Sequence, residues 1–321
     1  MDPVSRRGFL GATAGAVGMA TINEVGSMAF AAADGLQPVS KPQGIRVGML
    51  TAPFGGDPIE VVLDFAKQAG IRCLEVVAEP GSSHFDPMTF DAARADALKK
   101  MLADRGGLEI TALSNYMDAT EPGKIEEVQT IAKKMIDAAV LLGVPVICMQ
   151  TGSAAPKMNR INTIKKVLPK VHGPIIAYAA EKNTKIAIEN YFETCLQGID
   201  TFECLFETIK EPNFGLNYDP SHLVHQQCNH LKPVTMFADR IFHTHGKDTL
   251  VDAEARAHMG VYAHDWWRYV VPGFGNINWG EYISHLRMNN YEGVISIEHE
   301  DNTFSREQGF IHGARYLNTF C

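Results

Sequence analysis

Four short apolar runs in the second half of the chain each end on a residue that can bind a metal or move a proton. These residues are Glu189 after KIAI, Asp219 after FGLNY, His245 in IFHTH and Glu298 after GVISI. Three carboxylates and an imidazole suit a divalent cation that accepts oxygen and nitrogen ligands. Such a cation would also offset the cost of burying charged groups at strand ends. The sequence therefore predicts one divalent metal ion. Mn²⁺ is the preferred choice, and Mg²⁺, Co²⁺ or Zn²⁺ are alternatives.

The elements that must position these residues form one repeating pattern after residue 40. Short and nearly continuous apolar runs are typical of strands that are covered on both faces. The predicted strands cover 45–50, 71–77, 108–114, 146–150, 185–189, 214–218, 241–245 and 293–298. Helical spacing lies between them, over 58–70, 90–106, 124–143, 161–182, 199–210, part of 221–237, 279–289 and 305–319.

Eight strands that alternate with eight helices predict an α/β fold, a single (β/α)8 TIM barrel over residues 45–321. The main alternative is an open, doubly wound sheet. No Gly-x-Gly-x-x-Gly motif follows an early strand, and the polar residues gather after strands five to eight, which favours the barrel. The C-terminal ends of barrel strands form the active face, so the four predicted ligands would meet there.

The first 33 residues resemble a twin-arginine (Tat) export signal. Arg6 and Arg7 precede a mildly apolar Gly/Ala-rich stretch, and AFAAADG (29–35) offers small-residue cleavage sites. The apolar stretch is too short to span a bilayer as a helix, so no stable membrane insertion is expected. We predict an exported, periplasmic protein with a signal peptide over 1–33 and a linker over 34–44. The alternative is an ordinary N-terminus that contains an arginine pair.

Composition limits the classes of partner and site. A net charge of -8 argues against a nucleic-acid partner, because such partners require a Lys/Arg surface. The six cysteines show no CxxC spacing, which argues against a zinc ribbon or a thioredoxin-type site. Cys73 and Cys148 lie in predicted strands and are expected to be core residues. A Cys195–Cys204 or a Cys204–Cys228 disulfide is left open.

The motifs IAIEN, NYDPSH, HTHGKD and SIEHED, in that order on successive strands, resemble the xylose-isomerase-like TIM-barrel superfamily. Within it they resemble the sugar isomerase/epimerase branch that includes D-tagatose 3-epimerase-like enzymes. The resemblance covers residues 45 to 319. It implies a metal bound by Glu189, Asp219, His245 and Glu298, and proton transfer through a metal-bound cis-enediolate. Glu189 and Glu298 would remove and return the proton, and His222 would contact a substrate oxygen.

Further residues are predicted to surround this centre. His243 lies two residues before His245, on the same face of the strand and one layer deeper, and is expected to orient a ligand. His299, Glu300 and Asp301 are expected to hold the last loop, and metal binding by them is the alternative. Substrate contacts are predicted for Glu75, Asn115, Gln150, Lys247, Arg256, Trp266, Trp267 and Arg268. Lys247 could instead pair with Asp248, and the two tryptophans could instead plug the long connection 246–276.

The leading interpretation is an exported, metal-dependent isomerase or epimerase that acts on a small, non-phosphorylated sugar or keto-sugar. The alternative is a lyase, dehydratase or deglycosidase that acts on 3-keto-glycosides by β-elimination. A carbohydrate-binding protein without catalytic activity is a second alternative. The resemblance also leaves open that the protein forms a homo-oligomer.

Overall fold

The protein is described by a computed structural model that covers residues 44–321, so the predicted signal peptide and nearly all of the linker lie outside the described residues. All eight predicted strands are present. They form a closed barrel of parallel neighbours, which confirms the predicted (β/α)8 fold. The barrel strands are β1 (Arg46–Leu50), β2 (Cys73–Val77), β3 (Glu109–Ser114), β4 (Val146–Gln150), β5 (Lys185–Glu189), β6 (Phe214–Tyr218), β7 (Ile241–Gly246) and β10 (Val294–Ile297).

Helices connect the strands on the outside of the barrel. They are α1 (Ile59–Ala69), α2 (Ala92–Asp104), α3 (Ile125–Leu142), α4 (Arg160–Lys166), α5 (Leu168–Glu181), α6 (Ile199–Thr208), α7 (Ser221–Val224), α8 (Lys232–Met236), α9 (Ala253–Met259), α10 (Trp279–Met288) and α11 (Arg306–Leu317). Gly70 and Gly143, at φ 72° and 78°, end α1 and α3 in the left-handed conformation that glycine adopts without steric cost.

The single helix predicted over 161–182 is wrong, because the structure has two helices there. Pro169 stands at the start of α5, where its missing N–H and rigid ring interrupt the hydrogen-bond ladder after α4. The prediction over 221–237 is likewise divided between α7 and α8.

The hydrophobic core lies between the strands and the helices that cover them. Fully buried residues such as Leu63, Leu74, Ile136, Ile147 and Ile186 form one continuous cluster. Each such side chain contributes about 1.5–3 kcal/mol to stability when it leaves water. All six cysteines are unpaired, including Cys148 inside the barrel. Within residues 44–321, no helix has the length and apolar character that a bilayer crossing requires.

The long connection 246–276 contains a hairpin that the sequence did not predict. Strand β8 (Asp248–Val251) pairs antiparallel with β9 (Trp267–Val270), and α9 lies between them. The buried Asp248 carboxylate fixes the base of this hairpin. It accepts hydrogen bonds from the backbone N–H groups of Gly273, Gly275 and Ile277 and from Trp279 Nε1. The Asp248 carboxylate is thus hydrogen-bonded within this loop, and Lys247 pairs with other carboxylates instead of with Asp248.

Candidate metal centre

The four predicted ligands meet at the C-terminal mouth of the barrel. Glu189, Asp219, His245 and Glu298 each place one ligand atom so that all four atoms lie within 4.8 Å of one another. They come from β5, β6, β7 and β10, which are adjacent strands in the barrel. His245 Nδ1 lies at the centre of the group, 3.2 Å from Glu189 Oε1, 3.8 Å from Asp219 Oδ2 and 3.0 Å from Glu298 Oε2.

Glu75 holds the other nitrogen of His245. Its Oε2 lies 3.1 Å from His245 Nε2, and its Oε1 accepts a 2.7 Å hydrogen bond from Tyr116 OH. A carboxylate on the far nitrogen fixes the tautomer and orientation of a metal-binding histidine and directs its free lone pair to the metal. Glu75 was predicted to contact substrate. The structure instead buries it fully beneath His245, because its strand turns the side chain into the barrel.

His243 lies deeper in the barrel, as predicted. Its Nδ1 is 3.1 Å from Asn217 Oδ1 and 3.6 Å from Glu75 Oε2, and Asn217 Nδ2 is 2.9 Å from His245 Nε2. Burial lowers the pKa of His243 to about 4, so its ring is neutral at neutral pH. His243 therefore acts on His245 through Glu75 and Asn217.

Lys247 supplies a buried positive charge among the carboxylates. Its Nζ lies 2.6 Å from Glu298 Oε2, 3.2 Å from Asp219 Oδ2 and 3.3 Å from Glu300 Oε1. Burial alone would lower the pKa of Lys247, but these carboxylates outweigh it and raise the pKa well above its usual value. Burial would likewise raise the pKa of Asp219, and the cations beside it hold that pKa far below its usual value.

His222 faces the same carboxylates from the first turn of α7. Its Nε2 is 3.3 Å from Asp219 Oδ2 and 3.5 Å from Glu189 Oε1. Its Nδ1 is 2.6 Å from Tyr269 OH, a residue of the hairpin strand β9. The hairpin thus orients His222, and the sequence did not identify Tyr269 in this role.

These residues fit a divalent cation. The donor set combines three carboxylates with an imidazole whose orientation is fixed by Glu75. Asp219 Oδ2 is buried and lies within ion-pair distance of Lys247 Nζ, yet no described group makes a well-directed hydrogen bond to it. Burial would lower the pKa of His245, and the carboxylates of Glu75, Glu298 and Glu189 outweigh it and raise that pKa. The negative charge that stabilises a proton on His245 would also stabilise a metal cation that replaces this proton.

A small cavity of about 210 Å³ opens onto these groups. Its lining includes the predicted residues Glu189, His222, Lys247, Glu298 and Gln150. The lining also includes residues that were not predicted to line it: Tyr116, Tyr191 and Glu300. Tyr116 lies two residues after the end of β3, and an aromatic residue directly after a predicted strand was the signal that the sequence offered. Gln150 Nε2 donates to the carbonyl oxygen of Tyr116.

Three other predicted substrate contacts lie away from this cavity in the described structure. The Asn115 side chain donates to the Ala78 carbonyl oxygen over 2.8 Å and holds the loop after β3. The Arg268 guanidinium pairs with Asp301 Oδ1 at 2.8 Å, which also explains why Asp301 holds its loop. The Arg256 guanidinium lies over the Trp266 ring, 5.6 Å from its centroid.

The two tryptophans differ in their surroundings. Trp266 is only 4% exposed and packs under Arg256, which matches the interpretation of a loop plug. Trp267 is half-buried and stacks on His225, with ring centroids 3.8 Å apart and an interplanar angle of 6°. Both tryptophans line a second, larger cleft beside the first cavity.

Comparison with known proteins identifies the family. A family model described as a xylose isomerase-like TIM barrel matches residues 63–320. The chain belongs to this family. The uncharacterized protein YfiH of Bacillus subtilis (strain 168) is 27% identical over 301 residues, 83% of this chain and 96% of its own length. The inosose dehydratase of Clostridium beijerinckii is 30% identical over 131 residues, 39% of this chain and 43% of its own length.

Several solved structures share the fold of this chain. A D-tagatose 3-epimerase-like protein has a TM-score of 0.66 at 18% identity, over 86% of this chain and 97% of that one. The 3-keto-D-glucoside 4-epimerase YcjR of E. coli has a TM-score of 0.64 at 14% identity, over 86% and 99%. The IOLI protein with a bound zinc atom has a TM-score of 0.65 at 18% identity, over 86% and 99%.

Proposed function

We propose that the chain is a divalent-metal-dependent isomerase or epimerase of a non-phosphorylated sugar or keto-sugar. The observation that carries this proposal is the convergence of Glu189 and Glu298 on His245 Nδ1 within one cavity. A divalent cation bound by Glu189, Asp219, His245 and Glu298 would supply Lewis-acid polarisation of adjacent sugar oxygens. The zinc atom of the IOLI structure supports metal binding by a protein of this fold, and Mn²⁺ is our first choice here.

Glu189 and Glu298 are the groups that would move the proton. Glu189 is the last residue of β5 and Glu298 directly follows β10, and these strands are separated in the barrel by β6 and β7, so the two carboxylates approach the cavity from two directions. One can take a proton from a carbon beside a carbonyl while the other returns a proton from the opposite side. His222, with its Nδ1 bonded to Tyr269, would hold a substrate oxygen through Nε2. Gln150 lines the same cavity and would bind a hydroxyl group.

The charges of the cavity support a substrate without phosphate. The described lining carries three carboxylates, of Glu189, Glu298 and Glu300, and the ammonium of Lys247. That ammonium already contacts Glu298 and Glu300, so a phosphate would meet no spare cationic side chain in this lining. Export through the twin-arginine pathway, which we also propose, agrees with a free sugar. A strain that lacks the twin-arginine translocase should then retain the protein in its cytoplasm.

Dehydration by β-elimination is the second candidate. Proton removal beside a carbonyl can expel a leaving group at the next carbon instead of returning the proton elsewhere. The partial similarity to inosose dehydratase specifically favours this outcome. In 3-keto-glycosides the same chemistry would release an aglycone.

Deuterium exchange separates these reactions. The Mn²⁺-loaded protein and a metal-stripped control are incubated in D2O with free sugars, keto-sugars and 3-keto-glycosides, and products are analysed by mass spectrometry. An isomerase or epimerase gives deuterium in a product of unchanged formula, whereas elimination gives loss of water or of an aglycone. Glu189→Gln and Glu298→Gln should lower turnover by roughly 10²- to 10⁴-fold. Glu203→Gln, on the exposed side of α6, is the matched control. Sugar binding without exchange would favour the non-catalytic alternative.

A further inference from the structure

A second cleft lies directly beside the reaction cavity. Its volume is about 440 Å³, against about 210 Å³ for the cavity over the metal ligands. Two aromatic rings in contact link their linings. The ring of Phe192 lines the cleft, and its centroid lies 6.1 Å from that of His222, which lines the cavity. The two spaces are therefore neighbours across this ring contact.

The hairpin strand β9 builds both spaces. Trp267 and Tyr269 are alternate residues on this strand, so their side chains share one face. Tyr269 bonds His222 at the cavity, and Trp267 stacks on His225 at the cleft. The rings of Phe192 and Trp267 are perpendicular, with centroids 5.6 Å apart. Because one strand fixes both walls, the cleft has a defined position relative to the reacting groups.

The lining of the cleft is aromatic and polar but uncharged. Phe192, His225 and Trp267 provide ring surface, and the exposed Gln227 and His264 provide groups that can donate and accept hydrogen bonds. No carboxylate, lysine or arginine is among the described residues that line it. Burial also lowers the pKa of His225 to about 4, so this ring is neutral at neutral pH. An ionic ligand would find no counter-charge here, whereas a neutral polyol with an apolar face finds both kinds of contact.

We propose that the cleft lined by Phe192, His225 and Trp267 binds a second sugar ring, so that the natural substrate is a glycoside of at least two rings. The reacting ring occupies the cavity at Glu189 and Glu298, and its neighbour packs in the cleft. This inference rests on the proposed function, since it assigns the substrate class of that site. It makes Trp267 a specificity-determining residue.

Equilibrium binding tests the cleft without any need for turnover. Isothermal titration calorimetry with the Mn²⁺-loaded protein would compare methyl α- and β-glucosides, which have one ring, with maltose and cellobiose, which have two. We expect at least one two-ring sugar to bind about tenfold more tightly than the matching methyl glucoside, the gain expected from one aromatic packing partner. Trp267→Leu should remove this difference and leave the affinity for the methyl glucosides unchanged.

Tyr262→Leu is the matched control, because Tyr262 belongs to the same connection, is 95% exposed and lies outside the cleft lining. It should keep the preference for two rings, and thermal unfolding of both variants verifies that they are folded. Equal affinities for one and two rings, or no measurable binding of either disaccharide, would overturn the inference. So would a Trp267→Leu variant that weakens both classes equally, because Trp267 would then act only through His225 and His222. Deuterium exchange on a one-ring 3-keto-glycoside tests the proposed reaction separately. The reaction can therefore be shown while the two-ring preference fails, and the reverse can also be observed.

Discussion

Replacing Lys247 by Met should destabilise the metal-free protein far more than the metal-loaded protein. Lys247 is 1% exposed, and its ammonium lies 2.6 Å from Glu298 and 3.2 Å from Asp219. Methionine keeps a similar length and apolar stem but removes the charge. Without a cation, the carboxylates of Asp219, Glu298 and Glu189 would then share the His245 ring and have lost the ammonium that pairs with two of them.

The expected magnitude follows from this loss of one partner. Removing one member of a buried ion pair costs about 3–5 kcal/mol, because the remaining charge stays buried and uncompensated. At about 2 °C for each kcal/mol in a domain of this size, the melting temperature of the metal-free variant should fall by about 6–10 °C. A bound divalent cation would compensate the same carboxylates, so the metal-loaded variant should lose only about 1 kcal/mol from altered packing.

Differential scanning fluorimetry with EDTA and with Mn²⁺ measures both quantities. The rise in melting temperature on adding Mn²⁺ should be larger for Lys247→Met than for the unaltered protein. Lys185→Met, an exposed lysine at the start of β5, is the matched control and should change neither value. Equal melting temperatures for Lys247→Met and the unaltered protein in EDTA would refute the electrostatic reasoning. An equal rise with Mn²⁺ in both would refute the assignment of the metal to these carboxylates.

Three further predictions concern other elements. Burial lowers the pKa of His172 from 6.5 to about 4. Between these pH values the folded protein therefore binds fewer protons than the unfolded chain, and because of this the folded state loses stability as the pH falls. Urea unfolding at pH 7.5 and at pH 4.5 measures this loss. Between these pH values the unaltered protein should lose about 2.5 kcal/mol more unfolding free energy than His172→Leu, and an equal loss in both proteins would contradict this role of His172. Tyr269→Phe should lower kcat/KM about tenfold without changing metal affinity, because His222 loses a hydrogen bond; unchanged kinetics would argue against this role. Asp248→Asn should cost about 3 kcal/mol in urea unfolding, since an amide cannot accept the five donors that the carboxylate accepts, and an unchanged value would contradict this expectation.

The barrel and the candidate metal ligands at its mouth were predictable from the sequence for one physical reason. Parallel strands covered on both faces are continuous apolar runs, so an acid or a histidine at the end of such a run stands out. Glu189 and Glu298 are examples, and the strand bounds around them agree with the structure within one or two residues. Gln150 was found in the same way, because it ends the apolar run of β4.

The hairpin after β7 could not be predicted in the same way. Its strands have four residues each, and α9 between them has no buried residue, so neither produces a hydrophobic period. The contact of Tyr269 with His222 depends on this hairpin and was missed with it. Glu75 was expected at the substrate because it lies near a strand end. Only the closed barrel shows that its side chain points inward, under His245.

Metal stoichiometry and affinity test the central claim most directly. Isothermal titration of the stripped protein with Mn²⁺, with metal content measured independently by mass spectrometry, would be compared for the unaltered chain, Asp219→Ala and Glu203→Gln. We expect one ion per chain for the unaltered protein and for Glu203→Gln. The affinity of Asp219→Ala should be at least 100-fold lower, since loss of a ligand should cost at least as much as loss of a residue that orients one. An unaltered protein that binds no divalent ion, or an Asp219→Ala variant that binds one ion with unchanged affinity, would contradict the assignment of a metal to Glu189, Asp219, His245 and Glu298.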